Sequence, residues 1–379
     1  LGLYEQVNHD IIIRTNVCGG RVMKFIHIAD VHLGAEPDRG KPWGQRRKDE
    51  IFETFYSVLD IAIAEKVDLV LIAGDLFHRQ PLKRELKELN YKFESLGDIK
   101  VALMAGNHDY LKPDSFYKGF PWSDNVFFFD TPEIGVKYFE DIQTCIYGLS
   151  YYHFEVTEPE YDRAAPDREI YRNGHHILLA HGGDEKHIPL NIKRLEASGF
   201  DYVALGHIHR PQIFPSGKMA YAGALEPIDK NDEGEHGYII GECTQDGTFI
   251  KFVPYALREY IVLNIEVNPN RTFGYVTDAL RGSILEQGED NIYKVRITGV
   301  KDEDIRYNMD EIYRLGNIAS VVDETVYNYD FEKIYYANKE NIIGKYIYRV
   351  MQMDIPEDVK MKALYYGVHS LYYAGRQQV

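Results

Sequence analysis

The chain has 379 residues, 45% hydrophobic and 27% charged, with a net charge of −16. That is ordinary globular composition, long enough for one large domain and a smaller one. No apolar run approaches the roughly 20 residues of a membrane span, and the acidic balance argues against whole-surface attraction to nucleic acid while leaving room for a local basic groove.

Residues 1–22 lack a basic segment followed by a long apolar one, so they do not read as a secretory signal. Met23 directly precedes the first convincing strand and is the expected natural start, which makes 1–22 an N-terminal extension. Cys18, Cys145 and Cys243 form neither a disulfide framework nor a CxxC zinc site, so a reducing cytoplasm is the expected compartment.

From there strands and helices alternate. "KFIHIAD" (24–30), "DLVLIAGD" (68–75) and "KVALMAGNHD" (100–109) are apolar strands with polar ends. Between them, 46–66 and 82–96 are amphipathic at helical spacing. This βαβαβ order predicts parallel strands with right-handed crossovers. Strands follow at 144–149, 175–183 and 201–209, then "KMAYAG", "HGYIIGE" and "TFIKFVP", which read as antiparallel members of a second sheet. Near 258 the style changes to a β-α-β-α-β module running to 336, and 337–379 reads as two Tyr-rich helices. The expected divisions are therefore 1–22, 23–257, 258–336 and 337–379.

The polar strand ends carry the chemistry. They deliver Asp30 and His32, Asp75 with His78, Asn107 with His108 and Asp109, His181, and finally His207 and His209. In "GHIH" (206–209) the two histidines are two residues apart, so in extended chain both face one place. In an open α/β sheet, ligands bind at the carboxyl ends of the strands. Each piece alone has a bland reading: a histidine after a strand is usually structural, and an aspartate there is often a helix cap. Together Asp30, His32, Asp75, Asn107, His181, His207 and His209 are too many donors for one ion. They suit two, with Asp75 as the bridge. Nitrogen and oxygen donors without thiolate fit Mn²⁺, Fe²⁺ or Zn²⁺.

The ordered set D-x-H, G-D-x-x-H, G-N-H-D, H-G and G-H-x-H resembles the calcineurin-like metallophosphoesterases over about residues 23–255. "IHIADVHLG", "GDLFHRQ", "GNHD" and "GHIHRPQ" resemble more closely the SbcD-type DNA repair exonucleases. The resemblance implies a four-layer αββα sandwich of two mixed sheets, with a smaller α+β DNA-capping domain and C-terminal helices. It implies a first divalent metal on Asp30, His32 and His209, a second on Asn107, His181 and His207, and Asp75 shared. It suggests Mn²⁺, a DNA substrate cut by exonuclease or endonuclease action, and an SbcC-type coiled-coil ATPase partner. A homodimer is left open.

Two cations can neutralise a phosphodiester and lower the pKa of a bridging water. His108 would face the phosphate as an acid or electrostatic stabiliser, with Asp109 orienting it or merely capping a loop. His78 is the second candidate for a substrate-facing imidazole. His27, His153, His175, His176 and His187 fall outside this set. Arg46, Arg47 and Lys48, with Arg79, Lys83 and Arg84, border a DNA groove or are solvated helix faces. The stripes Ile343, Tyr346, Ile347, Val350, Met351 and Leu364, Tyr365, Val368, Leu371, Tyr372 either pack on the protein itself or dock the ATPase. A smaller phosphoester substrate, or a non-catalytic scaffold, are the competing readings.

Overall fold

The computed structural model describes residues 22–171 and 174–376. The extension expected over 1–22 lies, Val22 apart, outside the described residues, as does Cys18. The chain divides into two compact units between Tyr260 and Ile261.

The first unit begins β1 (Met23–Ile28), α1 (Gly44–Ala64), β2 (Leu69–Ala73), α2 (Lys83–Glu94), β3 (Lys100–Met104) and β4 (Val126–Phe129). Then come β5 (Gly135–Phe139), β6 (Thr144–Gly148), β7 (His175–His181), α3 (Ile192–Glu196) and β8 (Tyr202–Gly206). It closes with β9 (Gln212–Ile213), β10 (Met219–Tyr221), β11 (Gly237–Thr244) and β12 (Gly247–Pro254). One six-stranded sheet has the order β12-β11-β1-β2-β3-β4, and a second has β5-β6-β7-β8-β10-β9. The run β1-β2-β3 is parallel, as the βαβαβ pattern predicts, and β4, unforeseen in the sequence, joins it in parallel.

Side-chain alternation along these strands builds the layers. Ile26, Ile28, Val70 and Ile72 meet Ile51, Phe55 and Val58 of α1 and Leu86, Leu89 and Phe93 of α2. Their alternate neighbours Phe25, Leu69, Leu71 and Ala102 turn the other way, onto Ile146, Ile177, Leu179 and Ala204 of the second sheet. The outer face of that sheet, with Leu178, Ala180, Val203 and Leu205, is covered by Leu195 of the short α3 and by Tyr161. This is an α/β sandwich of two mixed sheets with helices outside, the second helical layer being much the thinner.

Two expectations need correction. "KMAYAG" lies in the second sheet as expected, but it is parallel to β8 and antiparallel only to the two-residue β9. β11 and β12 form an antiparallel hairpin on the free edge of β1, so they extend the first sheet rather than the second. An amphipathic hairpin carries no local mark of which sheet edge it joins.

The second unit contains β13 (Tyr260–Val267), α4 (Phe273–Gln287), β14 (Ile292–Asp302), α5 (Met309–Tyr313), β15 (Ile318–Asp323) and β16 (Val326–Asn328). α6 (Phe331–Ala337), α7 (Ile342–Met351) and α8 (Glu357–Arg376) follow. Local signals set the helix ends: Asn341 accepts from Ile343 N and Gly344 N to cap α7, and Gly288 ends α4 at φ 109°. α4 packs on the small sheet through Val276, Leu280 and Ile284. α6, unforeseen in the sequence, supplies Ile334 to a separate core with Ile347, Val350, Leu364 and Val368. The centres of both C-terminal stripes are therefore internal packing. The exposed apolar residues of these helices include Ile342, Tyr348, Met361 and Tyr366. Among the described residues no helix is long and apolar enough to cross a membrane.

Candidate metal centre

The strand ends place all seven expected donors around one pocket. Asp30, His32, Asp75, Asn107 and His181 are buried, while His207 and His209 are partly open. The backbone is bent hard to do this. Asp30 (φ 49°), His32 (φ 51°), Asp75 (φ 49°) and His207 (φ 94°) all lie in the left-handed region, where a side chain other than glycine's is strained. Close backbone approach explains the glycines: a Cβ at Gly106 would lie 2.2 Å from Asp75 Oδ1, and one at Gly206 2.0 Å from Ala73 O.

Donor atoms converge in two groups. Asp30, His32 and His209 offer atoms within 4.8 Å of one another, and His32 Nε2 faces His209 Nε2 at 3.2 Å. Asn107 Oδ1 lies 3.0 Å from His181 Nε2 and 3.1 Å from His207 Nδ1. Asp75 Oδ2 sits between the groups, 3.8 Å from His32 Nε2 and 3.4 Å from His181 Nε2.

Outer partners set the tautomers that a metal needs. The carbonyl of Ala73 accepts from His181 Nδ1 at 2.8 Å, so Nε2 turns its lone pair inward. Asp232 accepts from His209 Nδ1 at 3.1 Å, with the same result. Asp184 accepts from His207 Nε2 at 2.8 Å, which leaves Nδ1 facing inward beside Asn107. Lone pairs aimed at one another, with His181, His209 and His207 each backed by an acceptor on the far side of the ring, are what two divalent cations fit.

Burial and neighbouring charges shift these groups in different directions. Burial pushes the Asp30 carboxyl above its ordinary range. Burial alone would raise Asp75 too, but the His181 and His32 rings hold it well below. Burial would lower His209, yet its hydrogen bond to Asp232 brings it up to about 9. Burial takes His207 down to about 4, with the neighbouring His181 adding to the effect.

His108 and His78 stand in front of these donors, with their rings stacked at 5.1 Å. His108 N donates to Asp75 Oδ1 at 2.8 Å, so its backbone is anchored to the shared carboxylate. Its Nδ1 lies 3.3 Å from the carbonyl oxygen of His78, which can only accept and so places the ring proton on Nδ1. The orienting role expected of Asp109 is corrected here. Asp109 is fully buried and accepts from Phe77 N, Gly106 N and Tyr117 Oη, clasping the loop from behind rather than touching the His108 ring.

Sequence reading missed Asp184, His187 and Asp232. His187, set outside the expected site, shares Asp184 with His207, and the two rings are 4.6 Å apart. The string "HGGDEKH" (181–187) carried a signal, since it continues a strand end already chosen. Asp232 lies in a turn whose backbone N–H groups it also accepts from, and nothing local marks it.

The expected basic border also changes. Arg47 is fully buried. Its guanidinium donates to Glu50 at 2.6 Å, Glu226 at 3.3 Å and the carbonyl of Pro227 at 2.7 Å. Arg258 meets Glu50 from the other side. Arg79 pairs with Glu85 at 2.6 Å and Lys48 with Glu36 at 3.5 Å, whereas Lys83 and Arg84 are exposed.

Fold and pocket together define an α/β sandwich protein with a histidine- and carboxylate-lined cation site at its strand ends. A family model for calcineurin-like phosphoesterases matches residues 23–211. The chain is 31% identical to the DNA double-strand break repair protein Mre11 of Methanocaldococcus jannaschii over 264 residues, covering 64% of this chain and 70% of that one. It is 27% identical to the Halobacterium salinarum protein of the same name over 296 residues, covering 74% and 71%. An uncharacterized metallophosphoesterase of Bacillus subtilis, YhaO, is 32% identical over 250 residues, and this chain spans 61% of itself and 60% of that relative's length. The chain belongs to the calcineurin-like phosphoesterase family.

Proposed function

We propose that the protein is a two-metal phosphodiesterase that cuts DNA, with Mn²⁺ as its working ion. The observation that carries this reading is the pair of donor groups sharing Asp75, with His108 in front. Asp30, His32 and His209 would hold one ion, Asn107, His181 and His207 the other, and Asp75 both. When bound, such ions neutralise the phosphodiester and supply a hydroxide at neutral pH. The chain's own residues do the rest. Ala73 O, Asp232 and Asp184 hold the ligand imidazoles in register. The carbonyl of His78 keeps the His108 proton on Nδ1, which leaves Nε2 to face the phosphate. A protonated His108 would stabilise the phosphoryl oxygens or give its proton to the departing alkoxide. The DNA substrate is supported by two relatives named for double-strand break repair. Repair in company with an SbcC-type coiled-coil ATPase is part of the same proposal, as is a capping role for the second unit.

A second reading, hydrolysis of a small phosphodiester, is favoured by the basic stretches. Arg47 is internal, and Arg79 and Lys48 are paired with carboxylates. The two readings part in one experiment. Purified protein with Mn²⁺ is given single- and double-stranded DNA beside bis(p-nitrophenyl) phosphate. Cleavage of DNA supports the nuclease; turnover of the small diester with intact DNA supports the second reading.

A further inference from the structure

Phe154 is 47% exposed, beside a pocket otherwise lined with polar groups. The loop that carries it is pinned on both sides. Tyr151 N donates to Ala105 O at 3.1 Å, and Tyr151 O accepts from Leu111 N at 2.7 Å. Val156 N donates to Lys186 O at 2.8 Å, and Val156 O accepts from Ile188 N at 2.7 Å. These bonds tie down the backbone shortly before and shortly after Phe154.

Its position relates it to the chemistry. The Phe154 ring centroid is 5.9 Å from that of His108, at 72°, and 5.5 Å from that of His187, at 88°. His108 is 4.8 Å from His32, and His187 is 4.6 Å from His207. Phe154 therefore spans the mouth of the pocket, linking imidazoles beside each of the two donor groups. Both contacts are near-perpendicular. Parallel stacking on Phe154 is thus not used by either imidazole.

We propose that Phe154 is a substrate-stacking residue, taking the base of the nucleotide next to the scissile phosphate, so that the substrates are nucleotide phosphodiesters rather than phosphoesters at large. The inference rests on the phosphodiesterase reading above and names its substrate class. An exposed aromatic ring gains by covering a flat apolar partner. A phosphate held at the strand ends would lie behind His108, and Phe154 stands beside that ring. Every base has a π-face, so such a platform tolerates any sequence.

The test is a cycle between protein and substrate. Wild type and Phe154→Ala cleave a single-stranded oligonucleotide with Mn²⁺, either intact or with one abasic site scanned across the cut. On intact DNA, Phe154→Ala should raise KM roughly tenfold, the scale of one base–aromatic stack, with kcat and bound metal little changed. At one abasic position the wild type should lose the same factor and the variant nothing more, and Phe154→Trp should restore the intact-DNA value. Independent losses at every position, or a fall in kcat alike on intact and abasic DNA, would overturn the proposal; the ring would then only brace His108 and His187. If wild type hydrolyses bis(p-nitrophenyl) phosphate but leaves the oligonucleotide uncut, the DNA reading itself fails and base stacking falls with it.

Discussion

Asp184 Oδ2 lies 2.8 Å from His207 Nε2, on the opposite edge of the ring from Asn107. His187 Nδ1 reaches the same carboxylate at 2.9 Å. One acid thus orders two imidazoles. Removing such an outer partner costs about 10–100-fold in metal affinity. Asp184→Ala should weaken Mn²⁺ binding at the His207 side by that factor and spare the His32 side. Calorimetric titration should then resolve one weakened and one unchanged site; equal weakening of both would contradict the assignment.

Asp75 touches both donor groups, whereas His32 belongs to one. Asp75→Asn should deplete both ions from the purified protein, and His32→Ala mainly one. Elemental analysis reads this directly. Two metals per chain in Asp75→Asn would remove the basis for a shared carboxylate.

His108 is held through its backbone N–H to Asp75, a bond that survives a change of side chain. His108→Ser should therefore keep both metals and lower turnover by ~10²–10⁴-fold, as loss of a general acid does. Wild-type rates in a metal-replete variant would show that the imidazole has no part in the chemistry.

Arg47 and its neighbours separate structure from DNA binding. Breaking a buried ion pair from one side costs about 3–5 kcal/mol, so Arg47→Met should lower the unfolding free energy by that order in urea titrations. It should leave the salt dependence of DNA binding unchanged. Reversing the exposed Lys83 and Arg84 should instead weaken binding and flatten its salt slope, by up to about one per lost phosphate contact. A flatter slope in Arg47→Met alone would place that guanidinium at the DNA after all.

The C-terminal helices share a core with α6 through Ile334, Ile347, Val350, Leu364 and Val368. A chain ending after Asn338 should lose solubility or expose dye-binding surface, because α6 keeps Ile334 without its cover. Substitution of the exposed Tyr348 and Tyr366 should leave stability unchanged and is the cleaner way to seek an ATPase contact. A soluble, folded truncation would show that the core is not needed.

The donors were legible because each follows its own apolar strand and glycines mark the turns: Asp30, Asp75, Asn107, His181 and His207 all sit where a parallel sheet must present them. Their supporting groups were not. Asp232 and Asp184 act from loops on the far side of the rings, and contact across 23 positions leaves no periodic trace. Arg47 illustrates the other blindness. Its partner Glu50 is one turn away and visible, but Glu226 and Arg258 are distant, and without them the stretch reads as an ordinary solvated basic face.

The first strand among the described residues is completed by one that comes near the end of the first unit. β1 pairs with β2 on one side and with β11 on the other, Met23 lying opposite Cys243. During synthesis on the ribosome, β1 therefore keeps one bare edge until translation has passed Thr244. Asp30 and His32 follow this strand, while His209 stands 177 positions after His32, so the cation pocket joins residues far apart along the chain. Such nonlocal closure makes for slow folding and leaves an edge open to pairing with other chains in the meantime. The stretch matched by the family model ends at Pro211, before β11 exists. Expressed alone, it would be a sheet with its central strand turned into an edge.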